Sequence, residues 1–465
     1  MHPVLLIDFG STYTKLTAVD TQDRSILATV QSYTTAATDI SIGFEKALQL
    51  LENKTGKLAY QAKLACSSAA GGLRMVACGL VPALTAKAAR FAAFGAGAKV
   101  INTYAYELTD EDAQEIENIS PDILLLVGGT DGGNSAVVQA NAAMIAGLKG
   151  SFPVVYAGNR VAARACKTIL ETSSHPVYVA DNVLPSLGKL NVLPVQAVIR
   201  EIFLERIIQF KGLSNYRDIL DGILMPTPSA VLDALTLLSD GIPGKQGLGD
   251  LMAVDLGGAT TDVYSIAWGD PTNPNTFVHG LREPRVKRTV EGDIGMRYSA
   301  RGIVEGADIK EFTKISSLSE EKCHDLFCVI DSDPSCLPQT PEEEAFDRAL
   351  AILAIRLGLV RHAGRLEEIF TPAGVSFRQT GKDLTEVKHM VLTGGALIHA
   401  KNVGEIAQEA VLVPDNNLLI PRNFQVNIDR DYILSAMGLL AGYDRTAAFD
   451  LLMDHFVKGK AYATD

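Results

Sequence analysis

Two Asp-x-Gly segments stand far apart in the chain, Asp8-Phe9-Gly10-Ser11-Thr12-Tyr13-Thr14-Lys15 and Asp255-Leu256-Gly257-Gly258-Ala259-Thr260-Thr261-Asp262. Each follows an apolar run, Val4–Ile7 or Leu251–Val254, of the continuous kind that marks a strand buried on both faces. Each Asp therefore falls at a strand end, where the chain turns back. A single Asp-x-Gly of this kind is an ordinary turn. Two copies, each after a buried strand and each followed by Thr, read as a pair of phosphate-binding hairpins with a nucleotide clamped between two lobes.

The residue types suit that ligand. Gly10, Gly257 and Gly258 let the backbone approach a phosphate closely, and Ser11, Thr12, Thr260 and Thr261 add hydroxyls beside the amides. Magnesium keeps several waters and takes only one or two protein carboxylates, which suits Asp8 and Asp255 as metal residues. Lys15, on the returning strand, would meet the β- or γ-phosphate as a point charge. Hydrolysis needs one carboxylate to orient the attacking water, either Asp255 or Asp262, and Asp255 is preferred as the nearer to the metal. The candidate catalytic residues are thus Asp8, Lys15 and Asp255. Gly394-Gly395-Ala396 ends a further strand at Met390–Thr393 and could let an adenine or ribose approach the backbone.

A chain of 465 residues exceeds what one core supports, and 47% hydrophobic residues can furnish two or three. The net charge is −12 with no long run of like charge, which argues against a nucleic-acid partner. The sequence passes from Met1-His2-Pro3 directly into a strand, and no segment has the roughly 18 continuous apolar residues of a membrane helix. Six cysteines without a Cys-x-x-Cys pair do not make a disulfide framework, so a cytoplasmic location is expected.

Along the chain, Val4–Ile7, Thr14–Asp20 and Arg24–Gln31 read as a β-meander, followed by a helix over Ile42–Asn53 and a strand at Lys63–Ala65. From about 73 to 194, helices at Ala83–Phe94, Glu111–Asn118, Ser135–Leu148 and Arg160–Glu171 alternate with short apolar strands, the pattern of an inserted parallel α/β module. The glycine-rich turns Gly128–Gly133 and Ser67–Gly72 are read as tight turns in preference to ligand sites. Thr227-Pro228-Ser229 caps a helix through Leu238, Leu318–Thr340 reads as a loop-rich insertion, Glu342–Gly364 as a helix, and Asp431–Gly442 as the last clear helix. The fold class expected is α/β. The domains are 1–252 (lobe I, with the insertion), 253–430 (lobe II), and 431–465 returning to lobe I.

Taken in order, Asp8-x-Gly10-Ser11-x-x-x-Lys15, Asp255-x-Gly257-x-x-x-Thr261 and Thr393-Gly394-Gly395-Ala396 resemble the phosphate-1, phosphate-2 and adenosine motifs of the actin, sugar kinase and Hsp70 superfamily. Helices 228–238 and 431–442 stand where that superfamily has its two connecting helices. Within it, Leu6–Thr12, Leu126–Gly133 and Arg288–Arg297 look most like the MutL/GlmL family associated with adenosylcobalamin-dependent glutamate mutase, which is unrelated to the mismatch-repair protein of similar name. The resemblance implies a two-lobed actin-like ATPase using ATP and Mg2+. It also implies a chaperone or reactivating role toward an adenosylcobalamin-dependent aminomutase. An Asp-x-His-x-x-Gly cobalt-ligating pattern is absent, so cobalamin itself is not an expected ligand. A small-molecule kinase and a non-hydrolysing assembly protein are the alternatives.

Other residues invite a role. Cys323-His324, Cys328 and Cys336 match no zinc spacing and read as packing or surface thiols. Glu291 and Asp293 suit either a nucleotide sugar or a helix cap. Arg282, Arg285, Lys287 and Arg288 read as a solvated basic face.

Overall fold

A computed structural model describes residues 1–10, 12–34, 40–67, 73–93, 96–210, 223–372 and 374–458 of the chain. It opens with an antiparallel meander of β1 (Pro3–Phe9), β2 (Tyr13–Asp20) and β3 (Ser25–Tyr33), covered by helix α1 (Ile40–Thr55). Every residue of β1 is buried, as its unbroken apolar run requires of a central strand. Helix α1 turns Ile40, Phe44, Ala47 and Leu51 inward at helical spacing, and the ring of Phe44 lies 5.9 Å from that of Phe9. Strand β4 (Ala62–Ser67) then pairs parallel with β1.

The inserted module follows, alternating β5 (Leu73–Gly79), α2 (Pro82–Ala93), β6 (Ala98–Ala105), α3 (Asp110–Ile119), β7 (Ile123–Leu126), α4 (Ala136–Ala146), β8 (Val154–Tyr156), α5 (Ala163–Leu170) and β9 (Val177–Val179). Its strands form an all-parallel sheet in the order β6-β5-β7-β8-β9. One face of this sheet shares a single hydrophobic core with the meander: Met75, Ala77 and Leu125 belong to the same cluster as Leu5, Ile7 and Phe9. Helix α6 (Leu193–Phe210) adds Val195, Ile199 and Phe203 to it. Strand β10 (Ile223–Pro226) completes the first sheet in the order β10-β4-β1-β2-β3.

Helix α7 (Thr227–Asp240) leads through a two-residue ribbon, β11 (Gly241–Ile242) and β12 (Lys245–Gln246), to β13 (Leu251–Leu256) and β14 (Thr261–Ile266). Next come β15 (Thr276–His279), β16 (Val286–Glu291), and helices α8 (Ala300–Gly306), α9 (Ile309–Ser316), α10 (Glu320–Ser332) and α11 (Pro341–His362). Strands β17 (Arg365–Thr371) and β18 (Gly374–Thr380) join β15 in a small sheet, and β19 (His389–Thr393), α12 (Gly395–Ile398), α13 (Val403–Ala410) and β20 (Gln425–Ile428) follow. The second large sheet runs β16-β14-β13-β19-β20, which is the order of the first: antiparallel meander on one side, two parallel strands on the other. Helices α14 (Leu434–Tyr443) and α15 (Arg445–Met453) come last among the regular α-helices.

Two compact units result, Met1–Ala234 with Ser435–Leu451, and Leu235–Leu434 with the described residues from Leu452 onward. Both boundaries fall inside helices, α7 and α14, where no linker composition marks them. They differ from the 252/253 and 430/431 divisions drawn from sequence. Three local readings also change. The polar stretch before Glu291 is strand β16, and half of the supposed loop insertion 318–340 is helix α10, whose N-terminus is capped by the Ser319 hydroxyl accepting from Lys322 N–H. A further helix, α15, follows the one read as last. Among the described residues no helix is long and apolar enough to cross a membrane.

Candidate functional site

In the first unit the hairpin between β1 and β2 is closed by Gly10 N–H donating to Tyr13 O at 3.1 Å. A Cβ on Gly10 would sit 2.5 Å from that same oxygen, so only glycine closes this turn. Asp8, next to the turn, pairs in register with Lys15 across the strands. The two side chains therefore share one face, as expected of a carboxylate and a cation serving one polyphosphate. Thr12 is exposed at the turn, and Ser11 lies outside the described residues.

Asp8 is only 5% exposed. Its Oδ1 accepts from the Thr227 hydroxyl at 2.6 Å and its Oδ2 from the Ser435 hydroxyl at 2.9 Å. Thr227 begins α7 and Ser435 lies in the first turn of α14, so two helices far apart in sequence fix one carboxylate. Sequence reading took Thr227 only as a helix cap and assigned Ser435 no role, because nothing local links either to Asp8. Beside them Cys66 is buried on β4, and burial, with the Asp8 charge added, raises its thiol far above the ordinary range. It is a packing thiol.

In the second unit, Gly257 N–H donates to Thr260 O at 2.9 Å, the counterpart of the Gly10 closure. The carbonyls of Gly257 and Gly258 accept from the amides of Met296, Arg297 and Tyr298 at 2.8–3.0 Å, which anchors the turn from behind. Gly258 and Thr260 are exposed. Thr261 is not free to serve a ligand: it is fully buried and its hydroxyl donates to Ile294 O at 3.0 Å. Asp255 is half-buried, in register with Asp262 on one side and Thr393 on the other.

Asp262, the other carboxylate considered for the water, is paired with Arg288, whose Nε lies 3.0 Å and whose terminal nitrogen lies 2.8 Å from Oδ1. Burial raises the Asp262 carboxyl and the guanidinium pulls it back. A carboxylate so engaged is structural, which leaves Asp255. The basic cluster is likewise not a solvated face. Lys287 and Arg288 are 6% and 7% exposed, and Lys287 donates to Glu283 at 2.6 Å and to His362 O. Only Arg282 and Arg285 lie farther out, on Asp270 and Asp240. Glu291 and Asp293 both bind Arg361 at 2.8 Å.

Gly394 adopts φ +97°, and a Cβ there would sit 2.3 Å from Leu256 O, so the third motif runs its backbone against the end of β13. Gly395 is exposed and Ala396 half-buried. Thr393, just before them, donates to Asp429 Oδ2 at 3.2 Å, and Asp429 also accepts from Ile433 N–H at 2.8 Å. Cys323 is buried, Cys328 exposed and Cys336 intermediate, and no group able to hold a metal through His, Cys, Asp and Glu together is found among the described residues.

Two sheets of identical order, each bearing an Asp-Gly hairpin at its central strand, make this an actin-like α/β fold with an inserted parallel α/β module. The family model of the MutL protein matches residues 4–456, and the chain is 46% identical to Protein MutL of Clostridium tetanomorphum, over 98% of this chain and 100% of that one. The chain belongs to the MutL family. Among solved structures it is similar to a nucleotide-free acetone carboxylase (TM-score 0.40, 13% identity, 94% of this chain and 70% of that one). It is also similar to the activator of 2-hydroxyisocaproyl-CoA dehydratase from Clostridium difficile with bound ADPNP (0.34, 10%, 100% of both) and to gluconate kinase from Lactobacillus acidophilus (0.37, 11%, 98% and 92%).

Proposed function

We propose that the protein binds ATP with Mg2+ through its two hairpins, hydrolyses it, and acts as a chaperone or reactivating factor for an adenosylcobalamin-dependent aminomutase. The observation that carries the nucleotide reading is Asp8: a buried carboxylate at a strand end, beside a turn only glycine can close, aimed by two hydroxyls and faced by Lys15. Each Asp8 oxygen accepts one hydroxyl bond and keeps a second lone pair, which suits a hydrated magnesium ion held mostly through its own waters. Asp255 supplies the carboxylate of the second hairpin, and with Asp262 neutralised by Arg288 it is the group available to orient water. Lys15 neutralises charge on the phosphates. The client reading rests on family membership and on no residue of the site.

Purified protein titrated with ATP and with ADP, with and without Mg2+, and assayed for phosphate release tests the first part. Absence of Mg2+-dependent ATP binding sinks it, and turnover only on adding a hydroxylated small molecule turns it into a kinase. Pull-down of native partners in ATP and in ADP tests the second part, which fails if no adenosylcobalamin-dependent mutase is retained in either state.

A further inference from the structure

The inserted module carries a site of its own. In its sheet, β5 is followed by β6 on one side and, after a crossover, by β7 on the other. The point where strand order reverses therefore lies between β5 and β7, and in open parallel sheets ligands bind outside the carboxyl ends of the strands at that place. A cavity of about 190 Å³ opens there, between Leu80 after β5, the Val127–Thr130 turn after β7, and α2.

Three features separate it from a plain turn. The Gly128–Gly133 loop is a rigid frame: fully buried Asn159 accepts from Gly132 N–H at 3.1 Å and donates to Gly133 O and Asn134 O at 3.0 and 3.2 Å, while Asn182 donates to Gly129 O at 3.0 Å. The far wall and mouth are apolar and not covered, with Leu187 83% and Val81 42% exposed. Within the cavity wall Thr85 is 4% exposed, and among the described residues its hydroxyl has no hydrogen-bond partner. A buried hydroxyl without a partner costs stability unless something else meets it.

We infer that this cavity binds the ring of a small heteroaromatic molecule, its hydrogen-bonding edge on the Thr85 hydroxyl and its remainder at the mouth formed by Leu184 and Leu187. The size fits: an apolar cavity of about 150 Å³ takes a benzene ring, and this one is somewhat larger and has one polar point. The site is separate from the two Asp-Gly hairpins and does not depend on the nucleotide reading.

The test is a ligand-detected NMR titration of the full chain with indole, which has a ring N–H, and with naphthalene, which has none. The wild type binds both. Leu184→Trp, which fills the cavity, abolishes binding of both while far-ultraviolet dichroism and the melting temperature stay unchanged. Thr85→Val, nearly isosteric, weakens indole about three- to ten-fold, the value of one hydrogen bond, and leaves naphthalene as it was. The inference is overturned if the wild type binds neither probe, if folded Leu184→Trp still binds them, or if Thr85→Val affects the two alike.

Discussion

Removing the Thr227 hydroxyl with Thr227→Val keeps the β-branched shape and takes away the 2.6 Å bond to Asp8 Oδ1. A hydrogen bond to a charged group contributes about 1.5–3 kcal/mol, and this one is buried and short. Part of that energy holds the fold, and part holds the carboxylate in the rotamer from which it would meet the hydrated metal. If about 1.4 kcal/mol belongs to the second part, the Mg2+-dependent gain in ATP affinity falls about ten-fold. Ser435→Ala, which removes the 2.9 Å bond to Oδ2, acts on the same group, so the double variant departs from additivity. Calorimetric titration with ATP, in Mg2+ and in chelator, separates the metal-dependent increment from binding to the turn backbone, and Thr227→Ser restores it. An unchanged increment in a folded double variant would refute the view that these hydroxyls aim Asp8 at a metal.

Arg288→Met leaves Asp262 buried without its cation and is expected to destabilise by about 3–5 kcal/mol, read by urea unfolding, with Asp262→Asn in the same chain recovering part of the loss. Asn159→Ala removes four hydrogen bonds from one fully buried side chain, so a loss of about 3 kcal/mol and early protease cutting near the Gly128–Gly133 loop are expected. Burial, with the Lys287 charge adding to it, lowers Lys382 from 10.5 to about 7. Between those values the unfolded chain holds a proton that the native state lacks, so the native state gains stability as pH rises, by at most about 1.4 kcal/mol per unit. The stability difference between wild type and Lys382→Met therefore grows from pH 7.5 to 9, and a flat difference in urea midpoints across that interval would contradict it.

The hairpins, the meanders and the alternation of the module are legible in sequence because each depends on local pattern: apolar runs, glycine turns and helical spacing. What is not legible depends on partners distant in the chain. Lys287 and Arg288 look like a surface cluster until Glu283 and Asp262 fold against them, and the same charges disguise β16 as a polar loop. Helix α10 hides because its cysteines and the prolines after it suggest a loop, although Ser319 stands at its start. Thr261 has the spacing of a ligand hydroxyl but faces inward on β14, where Ile294 O takes it. Of the residues around Asp8, only Lys15 is near in sequence. Thr227 and Ser435 lie 219 and 427 positions away.

The hydrophobic cluster that joins the first sheet to the inserted module makes the insertion something other than a cassette. Met75, Ala77 and Leu125 lie in one continuous layer with Ile7 and Phe9, the strand that ends in the Asp8 turn. An engineer who trimmed residues 73–194 to obtain a minimal version would strip the lining from the strand that presents the first hairpin, and would recover aggregate in place of a smaller enzyme. A lineage that lost the module would face the same exposed surface, so the insertion, once acquired, is retained by the solubility of its host as much as by any task of its own.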